Sequence, residues 1–310
     1  MVDVTRGAEV TVAPVAPVHR ARRLVRPLAP TIDILKRDRF ALTGVIIYAV
    51  LILVAIFAPL IAPHDPQMVM ERDGLWLTNQ KPSGDFLLGT TNVGRDIFSQ
   101  LVYGARPALL VGFSAAFIVA FVGTVVGLVA GYFGGWIDNV LMRLTDVAFG
   151  IPFLPFVIVL VAFLGPSIWN VVLSMGLLLW RDTARIIRSQ VLTVRERAFV
   201  QAAHISGASS WRTMFLYIAP NILALSFLYG TLAIGWAILT EASVSFLGFG
   251  DPTVVSWGFM LQDAYVSQAL ARGAYYWFVP PGVCIMLAVM GGFFIGRGYE
   301  ELLFPRLRER

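Results

Sequence analysis

Residues 107–137 read PALLVGFSAAFIVAFVGTVVGLVAGYFGGWI, from Pro107 to Ile137, without one charged side chain. A helix rising about 1.5 Å per residue needs about 20 such residues to cross a hydrocarbon layer about 30 Å thick. In lipid every backbone polar group must be paired within the helix, so a run of this length and composition is read as a membrane crossing. Four more uncharged runs lie at 40–63, 147–180, 213–240 and 273–296. The third is interrupted by Gly165-Pro166, a dipeptide that ends one helix and starts a turn. It is read as a hairpin whose second helix continues past Trp180 and carries Arg181 and Arg185 to the interface, where long cationic side chains can snorkel. The expectation is an all-α integral membrane protein with six transmembrane helices, near 40–61, 108–132, 147–164, 168–186, 222–241 and 276–295.

The composition of the 310 residues agrees with this reading and narrows the function. Hydrophobic residues make up 57% and charged ones 14%, against about 25% charged in soluble domains. A single cysteine, Cys284, excludes an intramolecular disulfide and a paired-cysteine metal site. The histidines, His19, His64 and His204, lie far apart, and neither a zinc HExxH nor a GxSxG nucleophile elbow occurs. Of the two lysines, Lys36 and Lys81, neither stands in the Gly-Lys-Ser/Thr setting of a phosphate-binding loop. No catalytic residue and no metal ligand is expected, and no nucleotide cofactor in this chain.

The net charge of +5 reports orientation rather than nucleic-acid binding. The N-terminal tail and alternate loops hold 19 of the 24 basic residues, and the opposite loops hold 5. Basic loops stay on the cytoplasmic side, so both termini are expected there. No nucleic-acid motif or basic face accompanies the charge. Residues 1–39 form a basic cytoplasmic tail without the short apolar core of a secretory signal. Within it, 31–39 suits either an interfacial elbow helix or a flexible basic anchor. The domain from 40 to 310 is the membrane unit, and no internal repeat is visible in it.

The segment 194–220 is the most informative loop. Its alanine-rich start favours helix, Gly207 allows a left-handed stop, and Ser209 or Ser210 can cap a second helix. Gln201-Ala202-Ala203, three residues, Gly207, and Pro220 at the far end resemble the EAA loop of ABC importer permeases. Gln201 stands where that motif has Glu, Tyr217 where it usually has Ile, and Ala219 where it usually has Leu. The segments Phe57 to Pro66, Leu88 to Ser99, Tyr103 to Arg106, Glu241 to Gly250 and Ser256-Trp257-Gly258 are similar to signatures of the C-type permease of dipeptide and oligopeptide importers. The likeness covers about residues 32 to 296. It lapses at Phe293 to Glu301, where the family usually has an Asn-Leu-Leu-Gly-Asp-like turn, and resumes at Pro305 to Arg308.

The resemblance implies a type I ABC importer permease fold in the inner membrane, forming half of a translocation pore. It implies a second homologous permease, two cytoplasmic ATPase subunits that bind the ATP, and an extracytoplasmic substrate-binding protein. Gln201, Ala202, Ala203, Gly207 and Pro220 would form the coupling contact with an ATPase. The implied cargo is a di- or oligopeptide, and relatives in the same class carry oligosaccharides or nickel complexes. An ion-driven carrier, which calls for inverted repeats or midplane carboxylates, is the less favoured alternative.

Three further groups are singled out by their charge or position. Glu241, with Ser243, falls near the outer end of the fifth crossing, where it either faces the substrate path as a gate or supports the turn that follows. Arg95 and Asp96, beside Gly94 in an outer loop, form either an ordered turn or a docking surface for a binding protein. Trp76, Trp136, Trp180, Trp257 and Trp277 sit near helix ends and are read as interface anchors.

Overall fold

The computed structural model describes residues 38–303, with side chains to residue 300. The elbow segment 31–37, the rest of the basic tail and the Pro305 to Arg308 segment lie outside the described residues.

The chain is helical throughout its membrane part, because an apolar segment without water has only its own backbone to bond with. Helix α1 (Arg39–Ile56) starts where the Asp38 carboxylate accepts from the Phe40 amide at 2.8 Å, and a single turn, α2 (Ala58–Ile61), follows it. The loop after α2 holds a two-residue hairpin, β1 (Glu71–Arg72) against β2 (Leu75–Trp76), with Glu71 opposite Trp76. Then come α3 (Ile97–Tyr103), α4 (Ala105–Phe133), α5 (Gly135–Gly150), α6 (Phe153–Leu164) and α7 (Ile168–Arg195). The loop helix α8 (Ala198–Ile205) precedes a short turn α9 (Ser210–Arg212), a π-helical segment (Thr213–Ile218) and α10 (Ala219–Phe246). Helices α11 (Trp257–Val266) and α12 (Tyr275–Leu303) complete the fold.

Among the described residues four spans are long and apolar enough to cross a membrane: Arg39–Ile56, Ile97–Phe133, Ser210–Phe246 and Tyr275–Glu300. The pair α5 and α6 passes the same test as one span bent by 87°. Helix α7 is longer than a bilayer core, at about 42 Å for its 28 residues, but its lower half is charged. The third expected crossing, 147–164, is therefore drawn differently. Its helix begins twelve residues earlier, at Gly135, and breaks after Gly150. Pro152 lacks an N–H and pushes Ile151 out of helical geometry, to φ −90° and ψ 124°. The remaining 12 residues of α6 rise only about 18 Å.

Helix α10 is the hub. Over its apolar window 56% of the span is buried, against 22% for α1, which lies at the periphery. Small residues set the close approaches. Gly123, Gly127 and Gly131 bring one face of α4 against Thr183, Ile187 and Val191 of α7. Without water there is no hydrophobic drive between helices in lipid, and close backbone packing replaces it. At the periphery Gly44 of α1 abuts the Gly291 carbonyl of α12, and the Tyr48 hydroxyl donates to the Ala288 carbonyl at 2.9 Å.

Two of the tryptophans expected at the interface are core residues. Trp257 is 2% exposed and Trp277 1%. The Trp257 indole donates to the Leu101 carbonyl at 2.9 Å and packs against Gly104, so α11 is clamped onto α3. Trp76 and Trp136 are exposed.

Candidate coupling site

The loop between α7 and α10 folds as two short helices joined at a glycine. Helix α8 ends in a Schellman arrangement: the Gly207 amide donates to the His204 carbonyl and the Ala208 amide to the Ala203 carbonyl, each at 3.0 Å. That arrangement places Gly207 at φ +77°, a conformation that costs a residue with a Cβ about 1–2 kcal/mol. Nothing lies within 4 Å of where its Cβ would stand, so the glycine is required by backbone conformation and not by crowding. The Ser206 hydroxyl donates to the Ala202 carbonyl at 2.8 Å, and the Ser209 hydroxyl caps the next turn by accepting from the Arg212 amide at 3.3 Å. Ser209 rather than Ser210 is the cap.

Helix α8 shows one face to the protein and one to solvent. Val200 and Ala203 are buried, while Gln201 and Ala202 are exposed, with the Gln201 amide nitrogen donating to the Glu196 carbonyl at 3.3 Å. Ile205, at the tip, is 89% exposed, and Phe199 and Trp211 are exposed beside it. A cleft of about 520 Å³ opens between Ala202, Ala203, Gly207, Arg212 and Tyr217. Exposed apolar side chains rimming a cleft on a basic loop are a surface suited to a protein partner.

The loop is wired to the membrane helices on both sides. The Arg195 guanidinium donates to the Gly131 and Tyr132 carbonyls at 3.2 Å each, a cation on the carbonyl end of α4. The His204 ring stacks on Tyr132 with planes 10° apart. On the far side, Pro220 removes the N–H that would bond one turn back, and the preceding turn widens so that the Ala219 amide reaches the Met214 carbonyl five residues back. Pro220 itself is exposed. The continuous run Ser210–Phe246 thus extends from the loop to the opposite end of the bundle, about 55 Å in all.

The candidates outside this loop are held in structural contacts. Asp96 is fully buried and caps α3, its carboxylate accepting from the Ser99 amide at 3.1 Å and lying 3.4 Å from the His64 ring nitrogen. Arg95 is half-buried, and its backbone amide donates to the Thr91 hydroxyl at 3.0 Å. Burial pushes the Asp263 carboxyl above its ordinary range, and the charge of Arg95 pulls it partly back. Glu241 is 4% exposed and accepts from the Ser245 hydroxyl at 2.7 Å, one turn further on. Ser243 turns its hydroxyl to the Leu239 carbonyl at 2.8 Å. The structure brings Gln201, Ala202, Ala203 and Gly207 together on one loop, with Pro220 at the end of the following π turn. The other two pairs lie outside that loop.

Sequence reasoning passed over a ladder of charges between α5 and α7. Arg188 grips Asp138 with both ends of its guanidinium, Arg185 meets Asp146 at 2.7 Å, and Arg181 donates to the Ala148 carbonyl. The signal was present as arginines at spacings of four and three on one helix face, opposite aspartates eight apart on another. Among the described residues no cluster of histidine, cysteine and carboxylate is arranged to hold a metal ion.

A bundle of apolar helices bearing an exposed, glycine-ended helix on its basic loop has the build of a membrane transport subunit that meets a soluble partner. The profile described as "Binding-protein-dependent transport system inner membrane component" matches residues 123–309. A second, "N-terminal TM domain of oligopeptide transport permease C", matches residues 28–82. The chain belongs to the family of binding-protein-dependent transport system inner membrane components. It is a permease subunit of the inner membrane and not an enzyme.

Among its relatives is the dipeptide transport system permease protein DppC of Alkalihalophilus pseudofirmus, 37% identical over 92% of this chain and 91% of the relative. The putative peptide permease protein of Brucella suis biovar 1 is 34% identical over 90% of this chain and 91% of its own. The glutathione transport system permease protein GsiD of Shigella flexneri is 36% identical over 88% of each.

Proposed function

We propose that this chain is one half of the pore of a peptide importer, with six crossings and both termini in the cytoplasm. The six are α1, α4, the bent pair α5–α6, α7, α10 and α12. Helix α7 qualifies despite its arginines because α5 supplies a carboxylate or carbonyl to Arg181, Arg185 and Arg188, which lowers the cost of charge at membrane depth. The 19-to-5 division of basic residues supports the orientation. In this reading 1–39 is a cytoplasmic tail and 40–310 the permease domain.

The observation that carries the proposal is α8. Its exposed face, with Gln201, Ala202 and Ile205, docks on one of two cytoplasmic ATPase subunits, which bind the ATP. Movement passes through Gly207 and the π turn before Pro220 into α10. A second homologous permease closes the channel, and an extracytoplasmic binding protein delivers the cargo. The gate role expected for Glu241 and Ser243 passes to the turn they hold, since Glu241 is not open to a path. For the binding protein, Asp96 acts by holding its turn, and Arg95 alone of that pair reaches the surface. A two-state element joining motor and pore in this way makes transport directional. The cargo class is supported by the dipeptide, peptide and glutathione permeases among the relatives.

The test is isolation of the full-length chain from its native membrane in detergent, with its partners identified by mass spectrometry. A deletion of residues 201–207 serves as control. An ATPase recovered with the intact chain and lost with the deletion is expected. Recovery of no ATPase, or equal recovery in both samples, removes α8 as the docking element.

A further inference from the structure

The helix break between α5 and α6 carries more charge than a kink requires. Counted along α7 from Ile168, Arg181 and Arg185 lie about 20 and 26 Å from its outer end, within the thickness of the hydrocarbon layer. Arg181 at that depth calls for a partner or a water-filled cavity, and Arg185 stands about one turn from the inner boundary. The two ion pairs on this face differ in how far they are closed. Arg188 and Asp138 form a two-pronged pair whose side chains are 31% and 14% exposed. Arg185 and Asp146 share a single contact at 2.7 Å and are 51% and 52% exposed.

We propose that Asp146 and Arg185, backed by Arg181 and Phe149 at the α5–α6 break, bind the free ammonium and carboxylate ends of peptides in transit. The inference rests on the peptide-importer reading and adds to it a station within the pore. The chemistry is an exchange of partners. A zwitterionic peptide gives its ammonium to Asp146 and its carboxylate to Arg185, so every charge is paired before, during and after occupancy. Arginine suits the second role because its planar fork meets a carboxylate with two parallel hydrogen bonds. The half-exposed pair is therefore complementary to a ligand with separated opposite charges.

The surroundings hold the pair ready. The guanidiniums of Arg181 and Arg185 lie 4.8 and 4.2 Å from the centre of the Phe149 ring, which fixes both over one apolar platform. Arg181 spends a donor on the Ala148 carbonyl, and its Nε is buried without a hydrogen-bond partner, 3.7 Å from Asp182. In secondary transporters, too, discontinuous membrane helices line the site that holds polar cargo.

The experiment uses the complete importer with its binding protein in proteoliposomes, and a labelled unblocked dipeptide as cargo. Arg185→Gln and Asp146→Asn are each expected to raise the KM of uptake tenfold or more. Arg185→Lys and Asp146→Glu, which keep the charges, are expected to recover most of the affinity. The exchanged double variant, Asp146→Arg with Arg185→Asp, is expected to remain defective, because Arg181 and Phe149 back only one polarity. Unchanged KM in both neutral variants, or full uptake in the exchanged one, overturns the proposal and leaves a purely structural pair. Should the variants fail to accumulate in the membrane, a photoreactive benzoylphenylalanine at Phe149 replaces them. Capture of the labelled peptide there is expected, and no capture overturns the site. Absence of dipeptide uptake by the unaltered complex is a different result: it overturns the peptide reading, and this site with it.

Discussion

A Cβ placed on Gly127 would stand 2.5 Å from the carbonyl oxygen of Ala184. Gly123 and Gly131, four residues to either side, are as tightly covered, by Thr183 and Val191. Helices α4 and α7 touch along a groove made of missing side chains. That contact seats the arginine-bearing half of α7 beside α5 and fixes where the chain leaves α7 for the loop helix α8.

Gly127→Val should force α7 away and lower stability by about 1–3 kcal/mol, as overpacking does. Gly282→Ala, where the added methyl meets nothing within 4 Å, serves as control and should be neutral or mildly stabilising. Thermal unfolding of the two variants in detergent reads the difference. Equal midpoints would show that the groove yields.

Gly207→Val should sharply reduce ATP-driven uptake while the chain still inserts, because a β-branched residue cannot hold φ +77° without strain. Gly207→Asn should retain much of the activity, since asparagine enters that conformation more readily. Uptake per unit of inserted protein is the measurement. A valine variant as active as the asparagine one would remove the requirement for a left-handed stop.

Asp138→Asn and Arg188→Met should each destabilise the chain, and the double variant should lose less than their sum. A coupling of about 0.5–3 kcal/mol is expected for side chains in direct contact. Additive losses would mean that the pair in the structure contributes nothing jointly.

Asp263 should give a pH-dependent stability. Its carboxyl is raised by burial, so folding favours the protonated form; that contribution is present at low pH and is lost as pH rises through the raised value. Asp263→Asn removes the loss and should gain on the unaltered protein as pH rises from about 4, the ordinary aspartate range. Melting points across that interval decide it. A constant difference between the two proteins would contradict the buried-carboxyl account.

The sequence by itself determined that this is a membrane protein, because uncharged runs of 24 residues or more have no other stable home. It also determined the loop: alanines, Gly207 and a capping serine specify two short helices through local rules of propensity and capping. The proposed orientation rests on the placement of lysine and arginine alone. What depends on neighbours distant in sequence could not be read this way. Pro152 announces a break, but its 87° angle and the early start of α5 at Gly135 follow from packing against α7. Asp96 and Trp257 look alike as surface or interface residues in sequence, and tertiary contacts, with His64 for one and Leu101 for the other, go with their burial. The Asp146–Arg185 pair joins residues 39 apart. Sequence order carries no distance between helices, so only the folded bundle decides which charges meet.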